Sequence, residues 1–229
     1  FTPMGSDIII DSQNKYTYRY MAQRAYIGSD IVTGDSIFLQ KKGLLLGARK
    51  KNNFIIQNGV DAKNFYPQKN DLKKKLDLKE NDCLLFSPRA LDPIYNIEKI
   101  IYSIKILVEK NIKLKCMFAY AFGNEYFESL KKITDGLGLK DHIIWLGSKD
   151  PKEMALIYNA SDIVISIPSS DSSPASVYEA MFCKKPVIIS DLEWSNEHFK
   201  SEKSIFRIKK IDSIELSEKI EYVISHPNE

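Results

Sequence analysis

Cysteine and histidine are scarce in this chain, with three of each in 229 residues. Cys83, Cys116 and Cys183 stand far apart and are odd in number, which argues against a disulfide framework. His142, His198 and His226 have no partner at metal-ligand spacing, so no zinc site is expected, and His142 reads as structural. No Gly-x-Gly-x-x-Gly loop follows a strand, which argues against a dinucleotide-dependent oxidoreductase. Neither sign of charge dominates: 33 Lys and Arg face 30 Asp and Glu, a net charge of +3. That balance gives no reason to expect a nucleic-acid partner. Long apolar runs are missing too. The longest are of strand length, such as 163–167, well short of the ~20 residues of a membrane-spanning helix. The chain opens on Phe1 without a basic-then-apolar leader, and with its unpaired cysteines this points to a reducing, cytoplasmic setting.

What the chain has is alternation. From residue 81 onward, short, mostly apolar runs of strand length (83–86, 113–120, 142–146, 163–167, 186–190, 205–208) take turns with stretches of helical spacing (95–110, 125–137, 151–159, 175–183, 214–224). Strands that are apolar throughout, separated by amphipathic helices, predict a Rossmann-like parallel sheet with helices on both faces. Residues 1–57 predict strands at 7–10, 30–33 and 54–57 and helices at 15–27 and 35–46, too few elements for a core of their own, so a partial second α/β domain is expected. The lysine-rich stretch 69–80 carries Leu72, Leu76 and Leu78 and reads as a surface helix. Tyr16, Tyr18, Tyr20 and Tyr26 with Arg19 and Arg24 read as the packing of an amphipathic helix, in preference to a stacking surface for nucleic acid or lipid.

One segment concentrates chemistry. Asp171 and Glu179 stand eight positions apart, with Ser172, Ser173, Pro174, Ala175 and Ser176 between them. Pro174 suits the first turn of a helix, where its missing N–H costs nothing, and Asp171 and the serines are good cap residues. A helix start at the carboxyl end of a strand offers free N–H groups and a positive dipole end to an anion such as a diphosphate. Glu179, one turn inside, is placed to accept from ribose hydroxyls. Arg89, at another predicted strand end, is a forked donor suited to diphosphate oxygens; its plain alternative is an ion pair with Asp92. Asp171 reads equally as a hydrogen-bond acceptor for a donor-sugar hydroxyl and as a simple cap. Asn58-Gly59 is a turn signal.

These residues belong to an ordered series: Asp30-Ile31-Val32-Thr33 with Asp35-Ser36, Gln57-Asn58-Gly59-Val60-Asp61, Ser87-Pro88-Arg89, Trp145-Leu146-Gly147, Tyr158-Asn159-Ala160-Ser161-Asp162, and Glu179-Ala180-Met181 before Pro186-Val187-Ile188. The series resembles the retaining glycosyltransferases of family 4 (group 1), which have the two-domain GT-B fold. The resemblance implies that residues 1–57 are the tail of an N-terminal, acceptor-side domain, much of it upstream of Phe1, with Gly5-Ser6-Asp7 resembling one of its loops. Residues 58–229 would be the donor-binding domain. It implies a nucleotide-diphosphate sugar as donor, no cofactor and no metal, and a glycan or lipid-linked acceptor. Asp171, Glu179 and Arg89 would be the catalytic residues. Asn58, Gly59, Arg89, Ser172, Ser173, Pro174, Ala175, Ser176 and Glu179 would hold the donor, with Gly59 beneath the cleft where a side chain would obstruct it.

Two positions depart from the family. Its acid-seven-acid motif usually opens on Glu, where this chain has Asp171. It usually has a lysine five residues after the phosphate arginine, where this chain has Ile94; either another cation such as Lys149 takes over or the donor is bound differently. The expected reaction is sugar transfer to a hydroxyl with retention, in cell-surface glycan assembly, with this chain alone binding a donor without turning over. The alternatives are a non-catalytic GT-B scaffold subunit and a GT-B-fold epimerase. The basic cluster Lys41, Lys42, Arg49, Lys50 and Lys51 is a candidate for peripheral membrane contact, and the incomplete sheet in residues 1–57 for pairing into a homodimer.

Overall fold

The computed structural model describes residues 1–79, 81–199 and 205–226. In chain order they form α1 (Ser12–Asn14), α2 (Tyr16–Gly28), β1 (Val32–Gly34), α3 (Ile37–Leu45), β2 (Asn53–Ile55), α4 (Leu72–Lys75), β3 (Cys83–Ser87), α5 (Ile97–Glu109), β4 (Leu114–Ala119), α6 (Glu125–Gly136), β5 (Ile143–Gly147), α7 (Pro151–Ala160), β6 (Ile163–Ser166), α8 (Ala175–Phe182), β7 (Val187–Ser190), α9 (Glu193–His198), β8 (Ile205–Ile208) and α10 (Ser213–Ser225). They divide into two compact units, one of Phe1–Gly59, Ser170–Ala175 and Asp191–Lys200, the other of Val60–Ser169, Ser176–Ser190 and Ser201–Glu229.

The larger unit is the parallel sheet that the alternation predicts, six strands in the order β5-β4-β3-β6-β7-β8, flanked by helices. Every residue of β3 is buried. Cys83 and Leu85 join a core with Ile97, Ile100, Ile101, Ile104 and Leu107 of α5, while Phe86 meets the ring of Tyr158 on α7 edge-on at 5.0 Å. Helices thus cover β3 on opposite faces, which is why its run is apolar throughout instead of alternating. β8 is an edge strand, as its sequence position suggests. His142 is structural: its Nδ1 lies 2.9 Å from the carbonyl oxygen of Leu114 at the start of β4.

The centre of the sheet rests on β3 and β6, paired through Leu85 with Ile163 and Phe86 with Val164. Asp162 extends this short ladder. Its N–H donates to the Leu84 carbonyl (2.8 Å) and its carboxylate accepts the Leu84 N–H (2.7 Å). Lys73 of α4 closes on the same carboxylate at 2.6 Å. The expected helix over 69–80 shrinks to this one turn. Asp77 takes a left-handed φ of 54°, and the N–H of Leu78 returns to the Lys73 carbonyl at 3.0 Å. That closure satisfies the last carbonyls and stops the helix; Glu80 lies outside the described residues.

The smaller unit departs further from expectation. Residues 7–10 are not a strand. Asp7–Asp11 forms a helical turn running into α1, because Gly5, at φ +105°, presents its carbonyl to the N–H groups of Ile8 and Ile9 (3.0 and 2.8 Å). Tertiary setting overrides the β propensity of the isoleucines. β1 and β2 pair in parallel. In α2 only Ala22 and Tyr26 are buried; Tyr16, Tyr18 and Tyr20 are exposed, so the expected packing holds for one tyrosine of the four. Nor is the unit contiguous, as a boundary at residue 57 would make it. Segment 170–175 joins it through Ser172, whose hydroxyl lies 2.8 Å from Asp35 Oδ2. Segment 191–199 joins through Glu197, whose carboxylate accepts the N–H of Ile37 at 2.7 Å at the positive end of α3.

Asn96 supports the loop that follows β3. It is buried at φ 54°, with its Nδ2 2.9 Å from both the Ile167 carbonyl and Ser169 Oγ and 3.2 Å from the Ile94 carbonyl. Asn96→Ala removes these bonds while keeping a left-handed backbone that alanine resists, an expected loss of about 2–4 kcal/mol. Asn96→Gly recovers about 1 kcal/mol of it. Urea midpoints of the two variants against wild type check both the size and the order.

Candidate functional site

In the six-stranded unit the strand order reverses between β3 and β6: successive strands β4 and β5 lie on one side of β3, and β6, β7 and β8 on the other. At such a switch point the loops leaving the carboxyl ends of the two strands diverge and open a crevice. Arg89 is two residues beyond β3. Ser176 and Glu179 lie in α8, the helix that follows β6. Three of the expected site residues therefore come from the two strands that flank the reversal.

Their side chains meet. Arg89 Nη1 donates to Ser176 Oγ at 3.2 Å. Its guanidinium carbon sits 4.3 Å from the ring centroid of Tyr95. Tyr158, buried on α7, lies with its hydroxyl 2.8 Å from Glu179 Oε2 and 3.2 Å from the Ser176 carbonyl. Burial raises the Glu179 carboxyl above the ordinary carboxylate range, and the Tyr158 hydrogen bond offsets part of that. The Tyr158 hydroxyl is pushed well up, by burial first and then by the carboxylate beside it. Pro174 falls immediately before α8, within a residue of its expected place. The N–H groups of the first turn of α8 have no acceptor within the helix ladder.

The remaining expected residues belong to the smaller unit. Asp171 accepts the N–H of Ser172 at 2.9 Å. Ser172 bonds Asp35, and Ser173 lies 3.4 Å from Gln57 Nε2. Burial raises the Asp35 carboxyl, the Ser172 hydroxyl opposes that, and the negative charge of Asp171 adds to the rise. Gly5 is required beside this cluster. Its φ is +105°, and a Cβ there would stand 3.0 Å from Ser172 Oγ. Asn58 and Gly59 are exposed and form no turn, and a Cβ at Gly59 meets nothing within 4 Å. Packing within the chain therefore does not itself demand that glycine. Lys149, the expected substitute for the missing lysine, is paired with Glu153 at 3.3 Å in the capping turn of α7. The three cysteines are buried, and burial pushes the Cys83 thiol up to about 12, so none is suited to act as a nucleophile.

Sequence reasoning did not find Tyr158 or Asp35 as partners of site residues. Both were in view as parts of the ordered series, but their contacts span 21 and 137 positions, and no local spacing encodes them.

Residues 68–229 match the family model described as glycosyl transferases group 1. The chain belongs to this family. Among curated relatives, it is 28% identical over 159 residues to the UDP-Gal:alpha-D-GlcNAc-diphosphoundecaprenol alpha-1,3-galactosyltransferase of Escherichia coli, covering 68% of this chain and 41% of that protein. It is 26% identical over 140 residues to the alpha-monoglucosyldiacylglycerol synthase of Streptococcus pneumoniae, covering 58% and 31%. Among solved structures it resembles Anabaena Alr3699/HepE in complex with UDP-glucose, with a TM-score of 0.86 at 20% identity over 99% of this chain and 63% of that one. The chain thus spans less than half the length of the two curated relatives, and the structural likeness carries the GT-B fold. Among the described residues no helix is long and apolar enough to cross a membrane.

Glu179 and Asp35 give the group 1 chain a pH signature. Each carboxyl has a folded-state value raised above its ordinary one, 4.5 for Glu179 and 3.8 for Asp35. The native state therefore holds these protons more tightly than the unfolded chain. The associated stability is complete below the ordinary values and is lost as pH rises through the folded ones. Glu179→Gln keeps an acceptor for Tyr158 and removes one titration. It is expected to raise the melting temperature at neutral pH and to flatten its fall over the weakly acidic range; melting curves at closely spaced pH values check this, with Asp35→Asn expected to reduce the slope in the same direction.

Proposed function

We propose that this chain is the donor-binding part of a glycosyltransferase that moves a sugar from a nucleotide-diphosphate sugar to an acceptor hydroxyl, with retention, in glycan assembly. The observation that carries the reading is the meeting of Arg89 with Ser176, one turn of helix before Glu179, at the reversal of a parallel sheet. Arg89 and the N–H groups at the start of α8 hold the diphosphate. Glu179, aimed by Tyr158, accepts from the ribose hydroxyls. The leaving nucleoside diphosphate gains charge as the glycosidic bond breaks, so a fixed guanidinium and fixed N–H groups stabilise the transition state more than the ground state. No step is assigned to a metal ion. The acceptor, by analogy with the two curated relatives, is a glycan or lipid-linked hydroxyl.

Calorimetry of the purified chain against UDP-, GDP- and ADP-sugars tests the proposal. At least one is expected to bind, and Arg89→Ala to weaken that binding by about ten- to a hundredfold, the range of a hydrogen bond to a charged group. A silent panel overturns the proposal.

A further inference from the structure

Arg89 is held from two sides. Its guanidinium lies over the face of Tyr95, 4.3 Å from the ring centroid, while Nη1 donates to Ser176 Oγ at 3.2 Å. Tyr95 is itself fixed. It ends the 3₁₀ turn Pro93–Tyr95, which the Asp92 side chain caps by accepting the N–H of Ile94 at 3.0 Å. The Tyr95 N–H returns to the Asp92 carbonyl at 3.0 Å, and the Ile94 carbonyl accepts the N–H of Ser169 at 2.8 Å. Asn96, next in the chain, is tied to the Ile167 carbonyl and Ser169 Oγ. The ring is therefore a shelf built into the loop after β3 and anchored to the segment that follows β6.

A flexible arginine loses rotamer freedom when a ligand immobilises it. An arginine already stacked on a fixed ring has surrendered part of that before the ligand arrives. The same loop places Ile94 where the family usually has a lysine, so it supplies no second cation to share the diphosphate. The orientation of the one guanidinium then decides more of the affinity.

We infer that Tyr95 is a positioning residue: its ring holds the Arg89 guanidinium in the orientation that grips the diphosphate, in a loop that carries no lysine for the task. The inference rests on the donor-binding reading. Its test measures UDP, GDP and ADP, each beside its parent nucleoside, on the whole chain and on Tyr95→Phe, Tyr95→Leu and Tyr95→Ala. Tyr95→Leu and Tyr95→Ala are expected to weaken the diphosphate by about three- to thirtyfold, the span of a cation–π contact, with the parent nucleoside unchanged. Tyr95→Phe keeps the ring face and stays within about twofold of wild type. Equal loss of nucleoside and diphosphate, or full affinity in Tyr95→Leu, overturns the inference while leaving the donor reading in place. A wild-type chain that binds none of the diphosphates overturns both. Melting curves of the three variants identify any that fails to fold, and Tyr95→Leu and Tyr95→Phe, which keep apolar bulk against the core, suffice for the decision.

Discussion

The pairing of β3 with β6 is the constraint on which the larger unit depends. Only Leu85 with Ile163 and Phe86 with Val164 are in register, yet everything on either side of the sheet is hung from this seam. Asp162 makes so short a ladder sufficient. It spends its N–H and its carboxylate on the two backbone groups of Leu84, and Lys73 neutralises the carboxylate. The charge itself is not deep, since the Asp162 side chain keeps 41% of its surface exposed, so it costs little to place there. The brevity of the seam also has a use. Two strands that part early leave their following loops free to diverge, and those loops bring Arg89 from one side and Ser176 and Glu179 from the other.

The site is a study in what rigid surroundings do for polar groups. An unsupported guanidinium at a strand end would sample many rotamers, whereas this one is bounded by a ring and a hydroxyl from different segments of chain. Glu179 is treated alike. Its buried partner Tyr158 is packed edge-on against Phe65 and Phe86, at 5.8 and 5.0 Å, so the hydroxyl that directs the carboxylate cannot wander. Preorganisation of this kind transfers the entropic cost of binding to folding, where the apolar core offsets it.

The strands and helices of the larger unit were legible because burial on both faces leaves a mark in sequence: unbroken apolar runs such as Val187–Ser190, and 3.6-residue spacing such as Ile97, Ile100, Ile101, Ile104. The site residues were legible only in part. Arg89, Ser176 and Glu179 announced themselves by their neighbours in the chain and by resemblance, and the fold brings them together. What failed was whatever depends on distant partners. The isoleucines after Asp7 carry β propensity but meet a left-handed Gly5 that turns them into a helix. Leu72, Leu76 and Leu78 suggest a helix, but a Schellman-type closure at Asp77 ends it after a turn. The return of segments 170–175 and 191–199 to the first unit uses side chains such as Ser172 and Glu197, which no periodicity distinguishes from surface serines and glutamates.

Glu179 shows why a site and a stable core pull in different directions. Burying its carboxyl raises the energy of the ionised form, and a glutamine would fill the same space without that penalty. The Tyr158 hydroxyl lessens the cost but does not abolish it, since it has one proton and two acceptors within reach, the carboxylate and the Ser176 carbonyl. Glu179 is half-buried, so the penalty on its ionised form is partial. On the proposed donor reading, the vicinal hydroxyls of a ribose would add donors to this oxygen pair. On that reading part of the energy lost in burying the acid returns as affinity, and such an acid is expected at the wall of a binding crevice instead of on an idle helix face.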